Sequence, residues 1–466
     1  MTAGKFYAMI GFTALIAALS LTGASSPALA AGSAPVDMSP VWVLPFAGIL
    51  LCIALLPLIN AHWWHHNFPK ISLAFGLPMA VLMAIMLPDK SLHVLVEYCS
   101  FIALVGSLFV ISGGILVRGS FKSSPLTNCA FLLTGSVAAS FIGTAGASMA
   151  LIRPMLRINK NRKTKIHIFV FFIFTVSNIG GSLTPLGDPP LFLGFLQGVP
   201  FEWTLIYMLP GWALATAVLL AVFFVLDTLI LKRDGGLISG YQAAIEPPQK
   251  FAIAGAHNFL FLLGVMGTVI FYGTVLRDMK GLGFARDAIQ VALMGLMAAL
   301  ALKTTPAALR RENGFTWFPV KEVAVLFAAI FACMIPALNI LEHKGATGAL
   351  SLGYAWQYFW MTGGLSAMLD NAPTYLTFLS LAKTMGGEGC VAVAGGCVPQ
   401  HILLAISMGA VFFGAASYIG NAPNFMVKSI CEENEVSMPS FLGYLGWAAV
   451  FLLPLFAVMS YLFFRV

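Results

Sequence analysis

Charged side chains are scarce. Asp, Glu, Lys and Arg make up 9% of the 466 residues, against about 25% in soluble globular domains. That scarcity excludes a soluble multidomain protein and a disordered chain. Seven cysteines are too few for a disulfide scaffold at this length. The 45 glycines have no period, so a collagen-like rod is excluded. There is no P-loop and no Gly-x-Ser-x-Gly, and Gly281-x-Gly283 is no nucleotide motif, so an ATP-driven pump or a serine hydrolase lacks support. No nucleophile–base pair or metal cluster suggests an intramembrane enzyme. His62, His65 and His66 have no Cys or acidic partner and make no zinc pattern. No cofactor is called for. Apolar residues, by contrast, reach 59%, in runs of the roughly 20 residues that span a bilayer. The short alternating segments of a barrel are missing. The expected class is an all-α integral membrane protein.

The net charge of +7 is read by position. It belongs to cytoplasmic loops facing an anionic leaflet rather than to a nucleic-acid surface. Residues 1–30 read as a signal peptide: Lys5, the apolar run Phe6 to Leu21, and the cleavage signal Ala28-Leu29-Ala30. An uncleaved first helix is the alternative. A bacterial inner membrane, crossed many times, is the expected location.

Spans are expected at Val41 to Ile59, Ile71 to Leu87 (after a short loop His62 to His66), and Phe101 to Leu116. Leu126 to Leu156 is flanked by basic residues at both ends, so it should enter and leave on one side as a re-entrant hairpin. Ile168 to Gly198 is too long for a simple span and is broken by glycines and prolines. Leu205 to Leu231 follows. Residues 232–250 form a polar linker between two membrane repeats, 41–231 and 251–464. The second repeat has Phe251 to Leu276, Ala288 to Leu302, Val323 to Leu341, a second hairpin Trp356 to Ala382, a second broken helix His401 to Val427, and Phe441 to Phe464. About 11 transmembrane segments in two inverted repeats result, each repeat with a hairpin and a broken helix. Loops placed inside carry seventeen Lys or Arg and loops placed outside seven, as the positive-inside rule requires. Glu97, Glu202 and Asp227 read as interfacial, Arg153 as snorkelling, and His93 as a surface group. Cys390 and Cys397 share one outer loop, so a disulfide is expected, the alternative being two thiols that never meet its geometry.

Four polar stretches break helices at membrane depth. They are Gly143 to Ser148, Ser177 to Pro190, Asp370 to Thr374, and Ser417 to Asn424. The second and fourth share Ser-x-Ile-Gly. Broken helices in matching positions of two halves are the mark of a secondary transporter. Unwound carbonyls can ligate a cation, and half-helix N-termini can face an anion. The candidate binding residues are Asp188, Asp370, Ser177, Asn178, Thr144, Ser148, Asn371, Thr374, Ser417, Asn421 and Asn424. An ionisable group at this depth costs about 2.5–3.5 kcal/mol on insertion scales, so Asp188 and Asp370 need a reason. Each is a candidate for carrying a sodium ion or a proton. The alternatives are a turn former before Pro189 and a cap on the second hairpin arm. The asparagines either ligate or satisfy open backbone groups.

Ser177-Asn178-Ile179-Gly180-Gly181 followed by Gly187-Asp188-Pro189-Pro190 resembles the signature of the ion transporter superfamily, which includes NhaD-type sodium/proton antiporters, arsenite permeases, citrate carriers and dicarboxylate/sodium symporters. Leu369 to Tyr375 resembles the second hairpin of its antiporter-like and citrate-carrier members. The chain departs from antiporter-like members in carrying Thr144 to Ser148 where Asn and Asp are usual, and Leu191 where Asn is common. The resemblance implies a homodimer with a scaffold part and an elevator-like transport part. The expected function is sodium/proton antiport by alternating access. Asp188 and Asp370 would carry the ion, and the Ser, Thr and Asn groups would supply neutral oxygens. Sodium-coupled uptake of citrate or another carboxylate is the alternative.

Overall fold

The computed structural model describes residues 37–119, 121–235, 251–276, 279–347, 352–387 and 389–465. The expected leader, 1–30, and most of the expected linker, 236–250, lie outside the described residues. The first half runs α1 (Leu44–Ile59), α2 (Ala61–Met86), α3 (Pro88–Ser112), β1 (Leu116–Arg118), α4 (Pro125–Ile142), α5 (Thr144–Ile158), α6 (Ile166–Thr175), α7 (Pro189–Leu196) and α8 (Phe201–Arg233). The second half runs β2 (Ala252–Ala254), α9 (Asn258–Phe271), α10 (Ala285–Thr304), α11 (Ala307–Glu312), α12 (Phe318–Ala346), α13 (Ala355–Met368), α14 (Asn371–Ala382), β3 (Cys390–Val393), β4 (Gly396–Pro399), α15 (Gln400–Phe413), α16 (Ala422–Glu433) and α17 (Phe441–Phe463).

Among the described residues nine helices are long and apolar enough to cross a membrane, and Ile166–Ser182 and Gln400–Ala416 are shorter apolar stretches. The protein is an all-α membrane protein. Burial sorts its helices. In α6, Phe169, Phe171, Phe172 and Phe174 are all fully buried, as expected of a helix that is apolar all round. Ile59, Ile85, Leu229 and Leu442, on peripheral helices, are exposed and face the lipid position.

The helices form two packed groups. In one, α12 packs on α2 and α3, and α10 on α3 and α9. In the other, α4 pairs with α5, α13 with α15, and α8 and α17 close the outside. The groups meet where α3 and α12 face α5, α7 and α14. The helix pairs α4–α5 and α13–α14 are the two hairpins. The first turns at Gly143, whose φ of 79° suits a residue without Cβ. The first hairpin's second arm packs on α16, and the second hairpin's second arm packs on α7. Each hairpin therefore lies beside the far half of the other repeat's broken helix, and the two enter from opposite ends.

Several boundaries differ from expectation. The stretch His62 to His66 is no loop but the first turns of α2, which begins at Ala61. Asn60 makes this possible: it is extended, at φ −153°, and its Oδ1 accepts the Trp63 N–H at 2.9 Å, so the chain reverses in one residue. The next helix starts at Pro88, not Phe101, because Pro at its first position and Asp89 in the first turn suit a helix start. It stops at Ser112, before Gly113 and Gly114. Leu116 to Arg118 is then a strand, antiparallel to Ala252–Ala254 with Val117 opposite Ile253. That pairing also removes residues 251 to 257 from the expected helix. Cys390 and Cys397 are bonded across the β3–β4 hairpin, with Cα atoms 5.7 Å apart.

Asp227 is not interfacial. It is fully buried, and it accepts two bonds from Arg162 (2.9 and 3.2 Å) and one from Asn128 (3.1 Å), with His167 Nε2 at 2.8 Å. Asn159 exchanges amide bonds with Asn128, and Ser123 accepts from Arg162 Nε. This network fastens the open end of the first hairpin to α6 and α8. Arg153 does not snorkel; its guanidinium donates to the Asn313 carbonyl at 2.7 Å. Nearby, Arg310 is nearly fully buried and donates to the Val110 and Ala301 carbonyls, near the ends of α3 and α10. Burial lowers its pKa to about 10, which leaves it charged at neutral pH and able to satisfy those helix ends.

Arg162→Ala should leave Asp227 buried without its cation, which costs about 3–5 kcal/mol. A thermal-unfolding series in detergent should show a large drop for Arg162→Ala and a smaller one for the doubly apolar Arg162→Leu/Asp227→Leu variant. Equal losses in both would contradict this assignment.

Candidate functional site

The four helix breaks meet at one carboxylate. Asp188 is 1% exposed. Its Oδ1 accepts from Thr144 Oγ1 at 3.0 Å and from Asn421 Nδ2 at 2.8 Å, and its Oδ2 accepts from Asn371 Nδ2 at 2.6 Å. Thr144 comes from the first hairpin tip, Asp188 from the first broken helix, Asn371 from the second tip, and Asn421 from the second broken helix. All three partners are neutral. None of the ion pairs among the described residues includes Asp188.

Local sequence puts these side chains there. Asp188 and Asn421 occupy the cap positions of α7 and α16 with nearly the same backbone, φ/ψ −143/141° and −155/140°. Neither side chain caps its own helix, so both are free to turn inward. Pro189 and Pro423, at the helix starts, need no N–H partner there. Before each cap the chain folds tightly. A Cβ on Gly187 would lie 2.1 Å from the Gly181 carbonyl oxygen, and one on Gly420 would lie 2.7 Å from that of Gly414. Thr184 Oγ1 accepts the Leu186 N–H, and Ser417 Oγ accepts those of Ile419 and Gly420. The equivalent stretches are therefore Gly181-x5-Gly187-Asp188 and Gly414-x5-Gly420-Asn421. The Ser-x-Ile-Gly match at Ser177 and Ser417 is not a structural one: Ile179–Ser182 is a 3-10 turn opening its break, whereas Ser417 follows the corresponding turn, Gly414–Ala416.

The other candidates sort by distance from this centre. Asn178 donates to Asn424 Oδ1 at 2.7 Å and to the Ile173 carbonyl at 2.8 Å. Asn424 donates to the Gly414 and Ser417 carbonyls. Asn421 also donates to the Ser177 carbonyl, and the Ser177 and Ser148 hydroxyls are 2.8 Å apart. Thr374 donates to the Asp370 carbonyl. Asp370 does not join the Asp188 group. It is the cap of α14, accepting the Ala372 N–H at 3.0 Å, as one sequence alternative held. The positional mate of Asp188 is Asn421, and that of Thr144 is Asn371.

Two features bear on a ligand. Among the described residues, the Oδ1 atoms of Asn178 and Asn371 are buried and have no hydrogen-bond partner. A Cβ on Gly414 would lie 3.1 Å from Asn178 Oδ1, 3.3 Å from the Gly420 carbonyl oxygen and 3.4 Å from Asn371 Nδ2. A side chain at Gly414 would thus crowd Asn178, Asn371 and the Gly420 carbonyl, and glycine lets these groups sit close together. Helices α5, α7, α14 and α16 all start at this centre, so their positive ends converge on it. Sequence reading missed Thr184 and the serines behind the breaks. Ser140 donates to the Gly180 carbonyl and Ser366 to that of Ala410, each covering a carbonyl near a helix break. Nothing in a lone serine on an apolar helix signals this; the shared Gly-x5-Gly spacing, which the sequence reading passed over, is the signal for Thr184.

A family model described as "Putative citrate transport" matches residues 35–464. An uncharacterised transporter of Mycobacterium bovis is 25% identical over 326 residues, covering 67% of this chain and 71% of its own length. An uncharacterised transporter of Mycobacterium tuberculosis matches with the same identity and coverage. With two hairpins and two broken helices meeting in a membrane-spanning helical body, and a match over nearly its whole length, the chain belongs to the citrate transport family so described.

Proposed function

We propose that this transporter is a secondary active carrier of the bacterial inner membrane that exchanges sodium ions for protons by alternating access. The observation that carries this reading is the Asp188 carboxylate, buried at the meeting point of four helix breaks with neutral partners only. Four helix N-termini converge on it, and three side-chain donors bond its two oxygens. A sodium ion held beside Gly414 would find Asn178 Oδ1 and the Gly420 carbonyl as oxygens, with the Asn371 amide next to them. A proton and a sodium ion competing for one carboxylate couple their fluxes. The two helix groups supply a scaffold and a moving part, and a homodimer built on the scaffold fits the resemblance.

Sodium-coupled uptake of citrate or a similar carboxylate is the second reading, favoured by the family's description and by the convergent N-termini. Asp188 opposes it, since a carboxylate cargo would face a buried carboxylate without a basic side chain between them.

Proteoliposomes with a trapped pH dye separate the two. Under an imposed pH gradient, sodium or lithium should dissipate the gradient, and Asp188→Asn should abolish the response. Asp370→Asn should keep both the exchange and nearly all of the stability, because Asn caps a helix about as well as Asp. If cations alone do nothing and labelled citrate accumulates only with sodium, the carboxylate reading replaces this one.

Gly414→Ala should fill the space beside Asn178 and raise the half-saturating sodium concentration by about tenfold or more. Dose–response curves at fixed pH check it; an unchanged midpoint would move the ion elsewhere.

A further inference from the structure

The β3–β4 hairpin is more than a surface loop. Helices α7 and α14 pack side by side. Both start at the site, where Asn371 donates to Asp188 at 2.6 Å. Their starts are set by the breaks. Their far ends, about 12 and 18 Å away at 1.5 Å per residue, are joined by this hairpin. The Ala394 N–H, at its turn, donates to the Gln197 carbonyl just after α7, at 2.5 Å. The Cys397 N–H donates to the Lys383 carbonyl just after α14, at 2.9 Å, and the Gly386 N–H to the Cys397 carbonyl. A Cβ on Gly396 would lie 2.1 Å from the Lys383 carbonyl oxygen, so the hairpin is seated on that helix end with no room for a side chain. Cys390–Cys397 closes the hairpin from within. Outside it, Lys383 Nζ pairs with Glu342 of α12 at 2.7 Å, and Lys90 of α3 pairs with the same carboxylate at 3.2 Å.

We propose that the disulfide-closed hairpin is a positioning element for ion binding: it fixes the spacing of α7 and α14 and thereby holds Asp188 and Asn371 at the distance the ion requires. Two helices tied at both ends cannot splay or slide, whereas helices tied only at the site can. Cys390, Cys397 and Gly396 act through those helices and touch no cargo. This rests on the cation-exchange reading above.

The test compares wild type with Cys390→Ser/Cys397→Ser and with Gly396→Ala in proteoliposomes, reading sodium-dependent proton flux. The Gly396→Ala variant keeps the disulfide but lifts the hairpin off Lys383. A third arm treats wild type with a dithiol, which is oxidised to its own disulfide as Cys390 and Cys397 become two thiols. The half-saturating sodium concentration should rise about fivefold in all three, with the maximal rate per folded protein changed less. A purely structural role would lower the rate through lost protein and leave the midpoint unmoved, and that result would overturn the proposal. Wild type with no sodium-dependent flux would instead refute the exchange reading itself.

Discussion

A single buried carboxylate, Asp188, organises this molecule. Taking a carboxylate out of water is costly unless its oxygens are satisfied. Asp188 is satisfied by donors from three other segments, reaching it from as far as 233 positions along the chain. None of the four breaks would be stable alone, because each leaves backbone groups open inside a membrane. Brought together, they satisfy one another: the Thr144 N–H donates to the Gly187 carbonyl, Asn424 donates to those of Gly414 and Ser417, and the four helix starts face one carboxylate. The site and the fold's least regular backbone are one solution to one electrostatic problem.

Around that centre the two helix groups touch in a characteristic way. At the basic-loop end, Arg153 and Arg157 of the first hairpin reach backbone carbonyls of Asn313 and Val117. At the opposite end, Gln197 donates to Glu97 of α3 at 2.6 Å, and Lys383 pairs with Glu342. Between them α12 packs on α14, and Leu376, Leu379 and Ile335 on these two helices are buried.

The sequence made the hairpins and the broken helices legible, because Gly, Pro, Ser and Asn interrupting apolar runs have few other uses in a membrane. It also brought Asp188, Thr144, Asn371 and Asn421 onto one list. It could not show which acid stands at the centre. Asp188 and Asp370 look alike in sequence, each beside a break, and only the third dimension separates a side chain turned inward from one spent on its own helix. Nor could it show Asp227 with Arg162, 65 positions apart, because a helix-end aspartate and a loop arginine read as ordinary surface groups. The misplaced starts of α2 and α3 have a simpler cause: histidines and acids near an interface read as loop, although a capped helix accommodates them.

The near-identical backbones of Asp188 and Asn421 carry one more consequence. The two halves present the same bend, the same glycine spacing and the same inward-pointing side chain, and there they differ in chemistry by an amide in place of a carboxylate. Shape therefore does not tell the protein which half is which; charge does. Exchanging the two residues would ask whether the site can be run from its other half.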